Sequence, residues 1–112
     1  MTIQTYVQAL NNLRDEVNGV KTETHIEPAE AVEKFRELAQ HGIQQDYLAS
    51  GTRARQRYDR FEHTAIHRGL GNAREANYED SLEVRRSLDF MIYTLTHKNI
   101  NSVQSVNRTP TK

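Results

Sequence analysis

The sequence predicts an all-α fold: a four-helix up-and-down bundle, or a helical hairpin that completes its core as a helical dimer, with a disordered C-terminal tail. Three observations carry this. Apolar residues recur three and four apart along most of the chain. Glycine, proline and cap-forming residues punctuate those runs. Neither strand-like alternation nor an internal repeat interrupts the pattern. With 112 residues, 36 % apolar and 27 % charged, the chain is read as one helical domain over 1–97 and a flexible polar tail over 98–112. So polar a composition suits helices that each bury one stripe.

The first helix is predicted from Ile3 to Val17, where Ile3, Tyr6, Val7, Leu10, Leu13 and Val17 share a face. Gly19 ends it, because glycine takes the left-handed backbone of a helix exit cheaply. Lys21 to Glu27 lacks periodicity and reads as a linker. Pro28 then opens the second helix, at a position whose N–H would have no helical partner. Its seam is Ala31, Val32, Phe35, Leu38, Ala39 and Gly42, where the glycine allows either a close helix contact or a bend; beyond it the apolar direction drifts from Ile43 to Tyr47, which predicts a break there.

Ser50 and Gly51 mark the next boundary, and Thr52 is the expected cap of a third helix. Ala54, Tyr58, Phe61 and Ala65 are its core face, ending at Arg68-Gly69-Leu70-Gly71. Asn72 and Glu75 form a capping-box pattern, predicting a fourth helix from about Ala73 to His97. Ser81, Val84, Leu88, Met91 and Leu95 alternate three and four apart, with Ile92 beside them, as in a left-handed bundle. Tyr78 and Leu82 lie off that stripe and are expected to cover a second neighbour. From Lys98 the helical patterning stops, which predicts disorder.

Composition narrows the chemistry. Without cysteine there is neither disulfide stapling nor thiolate catalysis. Net charge is zero, with 15 basic and 15 acidic side chains. The opening Met1-Thr2-Ile3-Gln4 carries no secretory pattern, and no apolar run approaches membrane-crossing length. A cytoplasmic protein without membrane contact is the expectation. Charge is nevertheless segregated: the first fifty residues are acidic, whereas Arg53, Arg55, Arg57, Arg60, Arg68 and Arg74 face only Asp59 and Glu62 between residues 51 and 74.

Arg53, Arg57, Arg60, Thr64 and His67 form a stripe along one side of the third helix. Guanidinium groups held in a row grip carboxylates or phosphates bidentately. Three outcomes are open: acids of the first two helices neutralise the stripe, it stays a solvated face, or it faces a partner. Asp59 and Glu62 break up a phosphate-binding field, which disfavours nucleic acid. Tyr93 lies away from the fourth helix's seam and is a candidate exposed anchor. Asp59, His63 and His67 stand four apart, a spacing compatible with metal ligation if His41, Glu79 or His97 adds a ligand; no paired Glu-x-x-His pattern of a diiron bundle occurs. No metal or cofactor is expected.

Arg60 followed after six residues by His67, on a helix of a small bundle, resembles the active-site motif of the HEPN ribonucleases. That resemblance implies dimerisation and metal-independent RNA cleavage, with His67 as general base and Arg60 stabilising phosphate charge. Phe61 stands where that family carries a polar residue. Arg57 and His63 match in number but diverge in direction. A phosphotransfer bundle is a further comparison, from which this chain departs: Ile66 after His63 and Leu70 after His67 replace its lysine.

The expected function is a non-enzymatic protein-interaction or regulatory module. It docks a protein partner, or a second copy through the third or fourth helix, with Arg53, Arg57, Arg60, His67 and Tyr93 as contacts. The alternatives are a helical nucleic-acid binder and the HEPN-like ribonuclease.

Overall fold

The computed structural model describes residues 2–19 and 26–97; the predicted tail and most of the predicted linker lie outside them. Four α-helices are present among the described residues: α1 (Ile3–Asn18), α2 (Pro28–Gln44), α3 (Arg53–His67) and α4 (Tyr78–Thr96), with a short 3-10 turn at Ala73–Glu75. Among the described residues there is no strand.

Local chemistry explains most boundaries. The Thr2 hydroxyl accepts from the Thr5 N–H at 3.2 Å to cap α1, and Gly19 closes that helix at φ 71°. Pro28 occupies the first turn of α2. This helix continues past Gly42 to Gln44, then turns so that the N–H groups of Tyr47 and Leu48 both donate to the Gly42 carbonyl, at 2.8 and 3.1 Å. That wrap returns Leu48 to the core, where it is fully buried. Thr52 caps α3 as expected, accepting from the Arg55 N–H at 3.2 Å.

The start of α4 differs from expectation. Asn72 accepts from the Arg74 N–H at 3.0 Å, but only the 3-10 turn follows, and Ala76 is extended. The working capping box is Asn77 with Asp80: the Asn77 side chain accepts from the Asp80 N–H at 3.1 Å, and Asp80 accepts from the Asn77 N–H at 2.8 Å. Arg68 at the end of α3 pairs with the same buried Asp80 carboxylate, giving this box a tertiary support that Glu75 lacks.

Cross-helix contacts establish an up-down-up-down order. Tyr6 meets His41 while Glu16 meets Lys34, so α1 and α2 run antiparallel. Arg36 reaches Glu62 and the Leu70 carbonyl, setting α3 against α2. Arg57 meets Ser87 while Arg68 meets Asp80, setting α4 against α3. The diagonal pair α2 and α4 also pack together, with α1 and α3 flanking them on opposite sides.

As the helix touching all three others, α4 buries more than a seam. Asp80, Ser81, Val84, Ser87, Leu88, Met91, Ile92, Thr94 and Leu95 are all covered. Leu82 is half-buried, whereas Tyr78 is largely exposed, contrary to expectation. Phe35 anchors the other half of the core, edge-on to Phe61 at 4.8 Å and to Tyr58 at 5.6 Å between ring centroids.

A candidate docking groove between α3 and α4

Because Ala54, Tyr58, Phe61 and Ala65 turn inward, the arginines interleaved with them must project along the flanks of α3. Their fates then diverge. Arg55 pairs with Asp59 at 3.1 Å and donates to the Leu48 carbonyl at 3.3 Å. Arg57 lies half-buried against α4, donating to the Ser87 hydroxyl at 3.3 Å and facing Glu83 at 3.7 Å. Arg68 is taken by Asp80. Arg53 and Arg60 are exposed, and neither makes an ion pair or hydrogen bond with any of the described residues.

The acids that neutralise the basic helix therefore belong to α3 and α4. Among the described residues no acid of the N-terminal half pairs with it; Glu16 at 3.4 Å and Glu30 at 3.5 Å share Lys34 instead. Glu62, expected to interrupt the arginine field, faces away from it. It takes a two-pronged contact from Arg36 at 2.9 and 3.0 Å and accepts from the Tyr58 hydroxyl at 2.7 Å.

Two depressions result. A small recess of about 50 Å3 is lined by Arg57, Arg60, Thr64, Arg68, Asp80 and Glu83, and its acids are balanced by Arg57 and Arg68. Alongside it runs an open groove of about 480 Å3, lined by Arg53, Gln56, Arg57, Arg60 and Phe90. Phe90 is 42 % exposed, so the groove combines an apolar ring with two guanidinium groups that have no carboxylate partner among the described residues. Sequence reasoning missed Phe90. The available signal was a large ring two residues past Leu88 and one before Met91, and so off the seam.

The remaining candidates do not converge on this groove. Tyr93 is 48 % exposed and stacks on His97 at 3.9 Å, outside the groove lining. His67 makes its ring contact with His63 at 4.5 Å. Two helical turns, about 10 Å, separate it from Arg60 along the axis, and Phe61 beside Arg60 is buried in the core. Asp59 is held by Arg55, His41 lies against Tyr6, and no group of three or more potential metal ligands gathers among the described residues.

Arginine forks on a rigid helix beside an exposed ring suit recognition of carboxylates flanking an apolar side chain. No described helix is long and apolar enough to cross a membrane. Comparison with protein-family models, curated proteins and solved structures finds no match to this chain.

Proposed function

We propose that this chain is a non-enzymatic helical docking module that engages an acidic, partly apolar protein segment in the groove between α3 and α4. One observation carries the reading: Arg53 and Arg60 lack ionic partners among the described residues, whereas Arg55, Arg57 and Arg68 are satisfied within the fold. Arg53 and Arg60 would grip carboxylates, and Phe90 would receive an apolar side chain. With Asp59 taken by Arg55 and Glu83 by Arg57, the groove offers Arg53 and Arg60 beside Phe90, too short a run of free cations for a continuous phosphate track, which favours a protein partner over nucleic acid.

The test is a fluorescently labelled acidic helical peptide carrying one central leucine, titrated against the full chain by anisotropy. Arg53→Ala and Arg60→Ala should each weaken binding, by about 2 kcal/mol where the arginine is desolvated in the complex. Absence of binding, or an affinity unchanged by both substitutions, overturns the proposal. An oligonucleotide that binds more tightly than the peptide, with affinity falling steeply as salt rises, would transfer the groove to nucleic acid.

A further inference from the structure

On the far side of the bundle lies a second groove, of about 360 Å3, between α1 and α2. Ala9, Leu13 and Leu38 form its apolar part, and Glu16, Lys34 and Glu37 its charged rim. Lys34 is already committed to Glu16 and Glu30. Glu37 is exposed and has no ion pair among the described residues, as is Glu33 one turn before it. This face is acidic around an apolar depression, and the α3–α4 face is basic around an exposed ring. Each supplies what the other lacks.

We propose that the occupant of the α3–α4 groove is the α1–α2 face of a second copy of this chain. Phe90 of one copy sits over Leu13 and Leu38 of the next, and Arg53 and Arg60 reach Glu37 and Glu33. This identification rests on the docking reading above and adds the partner to it. Two properties support a second copy. The chain's formal net charge is zero, so approaching copies feel no overall repulsion. Moreover, the complementary charges occupy opposite edges of one bundle, since α1 and α3 flank the α2–α4 pair on either side.

The two surfaces differ, so the contact is heterologous. Each bound copy leaves one basic and one acidic face open, and association continues into a chain of subunits, or into a ring if the rotation closes. Grooves of this size suit a weak, reversible interface below about 1,200 Å2 of total buried surface.

Sedimentation of the full chain tests this. At low ionic strength the average mass should rise continuously with concentration, and at about 1 M salt, where the screening length is about 3 Å, it should return towards the monomer. Arg60→Glu blocks the basic face and Glu37→Arg the acidic face; each should weaken self-association about tenfold or more. Phe90→Asp is a second block of the basic face, with circular dichroism confirming that each variant remains helical. Mixing Arg60→Glu with Glu37→Arg joins a native pair of faces at one contact and a charge-swapped pair at the other, so the mixture should regain the association that each variant loses alone. A wild-type chain that stays monomeric, variants that assemble like wild type, or a mixture that fails to regain association overturns the proposal. If the wild-type chain binds the acidic peptide yet stays monomeric, only self-assembly falls; if it does neither, the docking reading falls as well.

Discussion

Tyr6 of α1 occupies the space that a side chain at Gly42 of α2 would need. The phenol is fully buried, donates to the Leu38 carbonyl at 2.7 Å and is flanked by the Tyr47 ring at 5.1 Å. A methyl group at position 42 would overlap the phenol oxygen and lie 2.7 Å from Tyr6 Cζ and 3.0 Å from Leu48 Cγ. The ring has little room to retreat. Gly42→Ala should therefore destabilise the bundle by about 1–3 kcal/mol through overpacking, although alanine intrinsically favours a helix by about 1 kcal/mol. Urea denaturation measures the balance, and a gain in stability would contradict the packing reading.

Stability should fall in alkali. Burial pushes the Tyr6 phenol well above its ordinary range, with a smaller contribution from Tyr58. Burial also raises Tyr58, assisted by its hydrogen bond to the Glu62 carboxylate and by that group's negative charge. The folded state thus holds the proton more tightly than the unfolded chain, whose tyrosines ionise near pH 10. Their contribution is fully present below about pH 10 and is lost as pH rises from there through the higher folded values. Denaturation midpoints should be level on this account up to about pH 10 and drop above it. In Tyr58→Phe the alkaline drop should be shallower.

The two asparagines before α4 should behave differently on truncation. Asn77→Ala removes the working cap and should cost about 1 kcal/mol. Asn72→Ala touches only the 3-10 turn and should stay within about 0.5 kcal/mol of wild type. Equal losses measured by chemical denaturation would refute the assignment of the helix start to Tyr78.

Arg57 and Arg60 should separate stability from binding. Arg57→Ala removes a donor to the buried Ser87 hydroxyl and should cost about 1 kcal/mol of stability. Arg60→Ala, at an exposed position without a described partner, should stay within about 0.5 kcal/mol. Under peptide titration Arg60→Ala should show the larger specific loss. Thermal melts beside anisotropy read both quantities on the same samples.

The core faces of α1, α2 and α3 were legible because each helix buries a single stripe. Tyr6, Leu10 and Leu13, then Phe35 with Ala39, then Ala54 with Phe61, follow helical spacing directly. The fourth helix was harder for two reasons. Asn72 with Glu75 and Asn77 with Asp80 are equivalent capping patterns locally, and the Arg68–Asp80 pair that supports the second comes from across a turn. Ser87 and Thr94 look like surface residues, yet both are buried because α4 has neighbours on three sides. The arginine stripe was visible as composition. Which guanidinium groups stay unpaired was not, since Ser87, Glu83 and Asp80 reach the stripe only once α3 and α4 are laid side by side.

Arg36 ties these observations together mechanically. From the middle of α2 it grips Glu62 on α3 and donates to the carbonyls of Leu70 at 2.8 Å and Gly71 at 3.4 Å. A lengthwise slip of α3 would have to tear this brace from both its helical and its loop attachments. The alignment of Arg53 and Arg60 with Phe90 is consequently steadied from the central helix α2, by a side chain that never touches the groove it keeps in register.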